Sequence, residues 1–376
     1  MVFVDERVSR SEQDGQPLVG RQQRSPFDLP CSPEFSLSSH QNQHRMSTTT
    51  FRAYRVTEVE KGQFARAIES LTLDDLPAGE VLIKVHHSAL NYKDALSATG
   101  NKGVTRNFPH TPGIDAAGVV AASEHPDWQP GDEVIVTSYD LGMNHDGGFA
   151  DYIRVPAGWV VPLPTGMSLR ESMIIGTAGF TAALGLHKME RIGQTPDMGP
   201  VVVSGASGGV GSMAVGILAQ AGYEVIAITG KAEAHDYLKG LGASRIEGRD
   251  FVDDQSGRPL LKPQWAGAID TVGGNTLLTL LKACSREGSV SSCGLVGSPK
   301  LDATVFPFIL NGVNLIGIDS ATIGMATRRK VWEMLAGPWR VPELERLATD
   351  CTLDEVDGYV EQILAGKTKG RVIVNV

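Results

Sequence analysis

Cysteine is scarce in this sequence, and the few cysteines lie far apart. Only four occur among the 376 residues, and no two of them form a C-x-x-C pair: Cys31, Cys284, Cys293 and Cys351. This spacing excludes a disulfide framework and the paired cysteines of a structural zinc site. We therefore expect a protein of a reducing compartment, and the predicted location is the cytoplasm.

Long apolar runs and an excess of basic residues are also missing. No stretch reaches the roughly 20 uninterrupted apolar residues that a membrane-spanning helix needs. Lys and Arg number 34 against 43 Asp and Glu, which makes the formal net charge −9. An acidic surface disfavours the binding of phosphate-rich polymers. The sequence thus predicts no membrane span and no nucleic-acid partner, and it favours a small-molecule substrate.

The first 46 residues differ from the rest of the chain. They are rich in Ser, Gln, Arg and Pro and show no hydrophobic periodicity, so they bury too little surface to offset the entropy of ordering. We expect a disordered leader over 1–46. Acidic residues spread through it argue against an organelle transit peptide, which stays a minority interpretation beside a simple extension before Met46.

Two different patterns of predicted secondary structure follow the leader. Strand-like runs such as 80-EVLIKVHHSAL and 133-EVIVTS are separated by turn residues, which is typical of a largely antiparallel β domain. After about Ser172, VVVSG precedes SMAVGILAQAG and EVIAIT precedes AHDYLKGLGA, the alternation of a doubly wound parallel sheet. The last residues, Arg371 to Val376, again indicate a strand, which we expect to return to the first domain.

A glycine-rich loop joins one of these strands to the next helix. Its sequence, GASGGVG over 205–211, has the spacing G-x-x-G-x-x-G, which alone is a weak signal. Between a buried strand and an amphipathic helix, however, such glycines let the backbone approach a pyrophosphate at the helix N-terminus. We therefore predict a dinucleotide-binding loop.

The end of the following strand indicates which dinucleotide binds. An NAD site carries an acid there, about 20 residues beyond the loop, whereas this strand ends in Thr229, Gly230 and Lys231. A hydroxyl and an ammonium, with no acid beside them, can accept a 2′-phosphate. The sequence thus favours NADPH over NADH, the alternative being that Lys231 is only a solvated residue of the next turn.

The order of these parts, together with several motifs, resembles a known family. The motifs are 91-NYKDAL, 106-RNFPHTPGIDAAG, 173-MIIGTAGFTA, 204-SGASGGVGS, 265-WAGAIDTVG and 305-VFPFIL. They are similar to those of the zinc-free quinone oxidoreductase branch of the medium-chain dehydrogenase/reductase superfamily, and within it to the acrylyl-CoA reductases. The resemblance runs from about Phe51 to Val376. It implies an α/β fold with a GroES-like β-rich catalytic domain, over 47–172 and 311–376, and a Rossmann NADPH-binding domain with a doubly wound parallel sheet over 173–310.

The resemblance also bears on metal binding. Zinc-dependent members of the superfamily carry Gly-His-Glu where this chain has Gly113-Ile114-Asp115, and a cysteine near the position of Asn91. Because a zinc site takes at least three protein ligands, two replacements at once imply metal-free chemistry. His110 is then a residue of a loop or of the substrate edge. Reduction of an activated C=C bond suits such a site better than alcohol oxidation, because no Lewis acid stabilises an alkoxide.

Tyr92 is the expected catalytic residue, and Asn91 stands beside it as a second candidate. The resemblance places Tyr92 at the nicotinamide end of the cofactor. Two roles stay open for it. Tyr92 is either the general acid, or it only packs against the cofactor while water protonates the enolate that hydride addition leaves on the substrate. Lys93 and Asp94 are expected to pair and hold the turn.

The remaining cofactor and substrate contacts are implied mainly by the resemblance. The full set of expected cofactor residues is Tyr92, Thr177, Ser207, Gly208, Gly209, Val210, Thr229, Gly230, Lys231, Arg249, Leu295, Ile309 and Lys367. Thr-Gly-Lys stands where the family often has Ser-Gly-Arg. The lysine keeps the positive charge but lacks the two parallel N–H donors of an arginine, so we expect a weaker preference for NADPH over NADH. Lys102 and Arg106 are candidates for the phosphates of an acyl-CoA, unless they are merely solvated.

The favoured function is NADPH-dependent, metal-free reduction of a short 2-enoyl-CoA, such as acrylyl-CoA to propanoyl-CoA. One alternative is an NADPH-dependent quinone or enone oxidoreductase, and another is a non-catalytic NADPH-binding protein. The retained motifs 91-NYKD and TAGFTA argue against the last. By analogy with the family, a strand within 313–319 predicts a homodimer that pairs across a two-fold axis.

Overall fold

The computed structural model describes residues 49–376. The leader predicted over 1–46 lies outside these residues. Within them, no helix is both long and apolar enough to span a membrane.

The secondary structure of the described residues alternates between β-rich and α/β segments. The strands are β1 (Thr50–Glu60), β2 (Gln63–Thr72), β3 (Val81–Leu90), β4 (Asp115–Ser123), β5 (Glu133–Thr137), β6 (Tyr152–Val155), β7 (Val161–Pro162), β8 (Val201–Val203), β9 (Val225–Ile228), β10 (Arg245–Glu247), β11 (Trp265–Asp270), β12 (Cys284–Ser292), β13 (Asn314–Gly317), β14 (Ala348–Thr352) and β15 (Arg371–Asn375). The α-helices are α1 (Tyr92–Ala98), α2 (Leu169–Arg191), α3 (Gly209–Gln220), α4 (His235–Gly240), α5 (Gly274–Lys282), α6 (Phe306–Asn311), α7 (Met325–Ala336) and α8 (Val356–Leu364).

The first strands and the C-terminal end build a largely antiparallel β region. β1 and β2 form a two-stranded ribbon, and a seven-stranded sheet has the order β14-β15-β3-β4-β5-β7, with β6 also pairing with β3. The alternation in β3 is clear, since Val81, Ile83 and Val85 are buried while Lys84 is exposed. β15 pairs antiparallel with β3, so the C-terminal strand returns to this region as the sequence predicts.

The second sheet is parallel and covered on both faces. Its order is β10-β9-β8-β11-β12-β13. In β8, Val201 and Val203 pack in a core with α2, α3 and α7, while Val202 packs on the opposite face with α5. Burial on both faces explains why this strand is a continuous apolar run rather than an alternating one. The predicted α/β fold class is confirmed.

This parallel sheet continues past the predicted domain boundary. β13 pairs with β12 in parallel register, although the predicted boundary at residue 310 assigns 311–376 to the GroES-like domain. The strand predicted within 313–319 is present, but its pairing moves the boundary to a point beyond Gly317. A helix and a loop precede this strand. Their sequences do not indicate which of the two sheets the strand will join.

Helix α2 connects the two sheets and is interrupted at Gly176. This residue has φ 49° and ψ −161° inside the helix. A Cβ atom at this position would lie 2.6 Å from both Asp115 Oδ2 and Arg371 Nη2, so the interruption requires glycine. It leaves the backbone N–H of Thr177 free to donate to Asp115, and this places the break beside the buried polar residues described next.

Candidate active site

The turn between β3 and α1 holds the predicted catalytic pair. Tyr92 is the first residue of α1 and is 48% exposed, whereas Asn91, which precedes the helix, is buried. The backbone N–H of Asn91 donates to Asp94 Oδ2 over 2.7 Å, which closes the first turn of the helix. The turn therefore exposes Tyr92, while Asn91 and Asp94 on either side of it are buried.

Asn91 uses its whole side-chain amide inside the protein. Nδ2 donates to Asp115 Oδ2 (2.8 Å) and to the carbonyl of Ala89 (3.1 Å). Oδ1 accepts from Arg371 Nη1 at 3.1 Å. These contacts fix the side chain of the residue that precedes Tyr92.

Asp94 holds the turn, but not through Lys93. Its carboxylate accepts hydrogen bonds from the backbone amides of Asn91, Gly113 and Ile114, at 2.7, 3.1 and 2.8 Å. No ion pair joins Lys93 and Asp94 in the part of the chain that the structure describes, so the predicted pairing is wrong. Burial, followed by the charge of Asp115, raises the pKa of Asp94 to about 7.

Asp115 is the centre of this buried cluster. It is inaccessible to solvent and accepts from the backbone N–H of Thr177 at 2.9 Å and from Thr177 Oγ1 at 2.5 Å. Thr177 Oγ1 also lies 2.9 Å from Ser138 Oγ at the end of β5. Thr177 thus links the break in α2 to both strands of the pair β4 and β5.

Arg371, the first residue of β15, is a site residue that the sequence analysis does not identify. Its Nε donates to the carbonyl of Ile174 at 3.1 Å, and Nη2 lies 3.7 Å from Asp115 Oδ2. Burial lowers the pKa of Arg371, while the nearby carboxylates of Asp115 and Asp94 raise it. Its only signal in the sequence is a charged residue at the start of an apolar strand.

The Arg371 side chain also reaches the glycine-rich loop. A Cβ atom on Gly209 would lie 3.3 Å from Arg371 Nη1, and within residues 49–376 the buried Nη2 has no hydrogen-bond partner. The predicted catalytic turn and the predicted dinucleotide loop therefore meet at one guanidinium. This contact joins positions that lie more than 100 residues apart in the chain.

The loop itself is shaped for close approach of a ligand. α3 begins at Gly209, and Gly208 precedes it with an extended backbone. A Cβ atom on Gly211 would overlap the carbonyl oxygen of Gly205, so the turn before the helix is tight. The first turn of this 12-residue helix leaves free backbone N–H groups, the feature on which the predicted pyrophosphate site depends. Val210 and Ser207 complete the loop, and Ser207 Oγ accepts from Thr229 Oγ1 at 3.2 Å.

A cavity of about 510 Å³ opens at the end of β9, where the 2′-phosphate is predicted. Thr229, Gly230 and Arg249 are among its lining residues. A Cβ atom on Gly230 would lie 2.7 Å from Arg249 Nε, so the guanidinium lies directly against this glycine. Arg249 is thereby a second cation at the predicted phosphate end.

Lys231 is engaged elsewhere in the structure. Its Nζ donates to the carbonyl oxygens of Gly366 (2.8 Å) and Thr368 (3.3 Å). These carbonyls flank the exposed Lys367, so the two lysines predicted to contact the cofactor lie on adjoining segments. Lys231 is therefore not merely a solvated residue, because it holds the C-terminal segment.

Three predicted nicotinamide-side and substrate residues lie on the surface. Leu295 and Ile309 are 65% and 69% exposed, and Arg106 is exposed as well. Lys102, in contrast, pairs with Glu58 at 2.7 Å and lies 4.6 Å from the centre of the Phe108 ring. Lys102 is thus also at the surface, but its ammonium is engaged by Glu58 and by the Phe108 ring.

The residues at the position where zinc-dependent members of the superfamily carry ligands are engaged in contacts within the protein. Ile114 is buried, and both Asp94 and Asp115 are occupied by hydrogen bonds from neighbouring groups. No group of three or more His, Cys, Asp or Glu that could hold a metal occurs within the described range 49–376. His110 is buried, with Nδ1 3.4 Å from Asp146, and its backbone pairs with Val56, which makes it a residue of a buried loop.

Comparison with known proteins gives two family matches and several full-length relatives. Residues 77–165 match the alcohol dehydrogenase GroES-like domain, and residues 209–337 match the zinc-binding dehydrogenase family. Acrylyl-CoA reductase AcuI of Ruegeria pomeroyi is 45% identical, over 84% of this chain and 96% of its own. A Bacillus subtilis protein named "Putative quinone oxidoreductase YhfP" is 46% identical, over 82% of this chain and 93% of its own.

Solved structures agree with these matches. The yhdH oxidoreductase of Salmonella enterica, crystallised in complex with NADP, superposes with a TM-score of 0.83 at 45% identity, over 86% of this chain and 99% of that protein. The B. subtilis protein yhfP, crystallised with NAD bound, superposes with a TM-score of 0.86 at 44% identity, over 88% of this chain and 100% of that protein.

Proposed function

The chain belongs to the medium-chain dehydrogenase/reductase superfamily, alongside acrylyl-CoA reductases and quinone oxidoreductases, and from this membership we propose its activity. It is an NADPH-dependent oxidoreductase that reduces the activated C=C bond of a short 2-enoyl-CoA, such as acrylyl-CoA to propanoyl-CoA. The observation that carries this proposal is the half-exposed Tyr92 on a buried polar base that abuts the glycine-rich loop. A hydride acceptor and a dinucleotide can meet at such a place without a metal.

The residues present fit a dinucleotide. Ser207 to Val210 would hold the pyrophosphate, and Arg371 Nη1 lies against the same loop, since a Cβ atom on Gly209 would be 3.3 Å from it. Thr229, Gly230 and Arg249 line the cavity at the end of β9 and would hold the 2′-phosphate there. Lys231, the next residue after Gly230, is the fourth residue proposed for this end of the cofactor. Thr177, Leu295, Ile309 and Lys367 are the proposed contacts of the remaining half. When bound, NADPH supplies the hydride, which adds to the β-carbon of the acyl group and leaves an enolate that the thioester delocalises.

The chain's own part in this chemistry is to orient the acyl group and to supply a proton or a hydrogen bond at the enolate. Tyr92 is our candidate for this task, and its support is that the residue is 48% exposed and follows the buried Asn91, whose side chain is hydrogen-bonded to Arg371. No step requires a metal. The donor set around Ile114 and Asp115 supports metal-free chemistry, since the carboxylate there already accepts three hydrogen bonds from protein groups.

Substrate choice is tested by the loss of NADPH absorbance with acrylyl-CoA, with a benzoquinone and with no acceptor. Turnover of acrylyl-CoA at a higher kcat/KM than the quinone supports the proposal, and the reverse order favours the quinone oxidoreductase that the match to YhfP suggests. Tight NADPH binding without turnover of either acceptor would make the chain a non-catalytic binding protein.

The CoA contact can be tested separately. Arg106 is the better of the two proposed phosphate contacts, because Lys102 is paired with Glu58. Arg106→Ala should raise KM for acrylyl-CoA and leave KM for the quinone unchanged. An equal rise for both acceptors would remove the CoA role of Arg106, and Lys102→Ala tests the second proposed contact in the same way.

We also propose a cytoplasmic homodimer. β13 is the last strand of the parallel sheet, so one side of it lacks a neighbouring strand within that sheet. Phe306, Leu310 and Leu315, on or near this edge, are 41%, 48% and 39% exposed. An apolar edge strand favours pairing with a second copy. Sedimentation velocity at several concentrations tests the state, and a single monomeric species would contradict it.

A further inference from the structure

Arg328, on α7, is a buried cation without an acidic partner among residues 49–376. Its side chain is inaccessible to solvent. Nη1 donates to the carbonyl (3.1 Å) and to Oγ1 (3.0 Å) of Thr137, and Nη2 donates to the carbonyls of Ser320 (2.9 Å) and Ala321 (3.0 Å). All of these acceptors are neutral. Burying a charge among neutral acceptors costs folding free energy. The presence of Arg328 is explained if the geometry that it enforces serves the reaction.

Two aromatic rings complete the surroundings of Arg328. Its guanidinium lies 4.4 Å from the centre of the Tyr139 ring and 4.9 Å from that of Phe180. Cation–π contacts of this kind partly offset the lost hydration. They also fix the plane of the guanidinium between β5 and the second half of α2, where Phe180 lies.

The segment that Arg328 holds at the end of β5 is strained. Ser138 and Tyr139 have φ values of 64° and 52°, which are unfavourable for residues other than glycine. Such strain persists only where the surrounding structure enforces it. The N–H of Tyr139 donates to Ala321 at 3.2 Å, and Ser138 contacts Thr177 in the active-site cluster.

The second segment that Arg328 holds is one of the two chain crossings between the sheets. The chain leaves the parallel sheet at Gly317 and passes through Ser320 and Ala321 before α7. The other crossing is the break in α2. The two crossings touch, since Thr181 Oγ1 donates to Ser320 Oγ at 2.7 Å. Arg328 is therefore bonded to the crossing at Ser320 and to the end of β5, which adjoins the active site.

We propose that Arg328 is a positioning residue for the reduction: it fixes both chain crossings against the end of β5 and so sets how the dinucleotide-binding sheet faces Tyr92. The inference rests on the proposed reductase function. A role in packing alone would be met by methionine, because an apolar residue of similar volume often replaces a buried ion without loss of stability. Positioning needs the planar guanidinium, because its two Nη atoms bond Thr137 on one side and Ser320 and Ala321 on the other. Neither methionine nor lysine supplies this pair of donors.

The test compares Arg328→Met and Arg328→Lys with Arg340→Met. Arg340 also bridges two segments, through Gly166 and Glu171, but at the surface. For each folded variant we would measure kcat, KM and the isotope effect with stereospecifically deuterated NADPH. Hydrogen exchange of the cofactor-free protein would be followed over 137–141 and 318–324.

Positioning predicts that Arg328→Met lowers kcat by roughly 10- to 100-fold, the cost of a misplacement of about 1 Å, with a smaller change in KM and a larger isotope effect. Exchange should quicken in the two segments and not elsewhere. Arg328→Lys should show the same pattern less strongly, and Arg340→Met none of it.

Three results would overturn the inference: unchanged kcat and exchange in both Arg328 variants, a loss of activity that matches the loss of folded protein, or an Arg328→Lys variant with an unchanged isotope effect. The last applies even if Arg328→Met does not fold. Exchange needs no substrate, so failure of the proposed reaction and failure of the positioning role are separate outcomes.

Discussion

Asp94→Asn should change how the stability of this protein depends on pH. Asp94 is inaccessible to solvent, lies beside a second buried carboxylate, and has its pKa raised from 3.8 to about 7, first by burial and then by Asp115. The folded state therefore holds a proton on Asp94 between about pH 4 and 7, where the unfolded chain does not. Stability from this group is complete below its unfolded pKa and is lost as the pH rises through 7.

The size of the effect follows from the displaced pKa. Each pKa unit is worth about 1.4 kcal/mol, and for a shift from 3.8 to about 7 the loss between pH 5 and 7 amounts to about 2 kcal/mol, levelling off above pH 8. Asparagine does not titrate, so the free energy of unfolding of the wild type minus that of Asp94→Asn should fall by this amount over the range. Taking the difference removes the contributions of the groups that do not interact with Asp94.

The assay is urea unfolding at closely spaced pH values, with infrared spectroscopy of the buried acid. At pH 5, the carbonyl absorption of protonated carboxyl groups should be weaker in Asp94→Asn than in the wild type by the contribution of one group, because burial also raises the pKa of Asp270 and Glu190, which remain in the variant. In Asp115→Asn the loss should move to lower pH, because the second cause of the raised pKa is removed. A pH-independent difference would refute the reasoning and would mean that the three backbone amides keep Asp94 ionised throughout.

Three further predictions concern single substitutions. Tyr92→Phe should lower turnover by roughly 10²-fold if Tyr92 is the general acid, and a loss well under tenfold in steady-state assays would leave it as a wall of the site. Lys231→Glu should shift the ratio of kcat/KM for NADPH and NADH towards NADH, because it places an acid at the predicted 2′-phosphate; an unchanged ratio would contradict the assignment. Gly176→Ala should lower the free energy of unfolding by about 1–3 kcal/mol for the positive φ alone, and more where its Cβ meets Asp115. Gly358→Ala, in α8 with open space around it, is the matched control and should be neutral or stabilising in urea, so equal losses in both variants would argue against the role of Gly176.

Much of the fold follows from local patterns. The alternation in β3, the continuous apolar run in β8 and the glycine-rich turn before α3 each depend on neighbouring residues, so the sequence predicts them. The same holds for the strand at Arg371–Asn375. The boundary near residue 310 was not predictable in this way, because a strand's hydrophobic pattern does not show which sheet it joins.

The sequence predicts only part of the candidate site. Its motifs point to Asn91, Tyr92 and the loop over 205–211, but the cluster that supports them depends on contacts between residues 24 to 280 positions apart. Lys231 illustrates the limit: its charge is visible in the sequence, whereas its bonds to the carbonyls of Gly366 and Thr368 are not.

The sequence by itself determined the periodicity of the strands and helices, the glycine-rich turn before α3 and the presence of isoleucine at position 114, because each is a property of adjacent residues. Only the tertiary structure decided that Arg371 joins the catalytic turn to that loop, that two carboxylates share one buried cation, and that Arg328 ties the crossings together. Burial and the close approach of charges set these properties, and both arise when distant segments pack against each other.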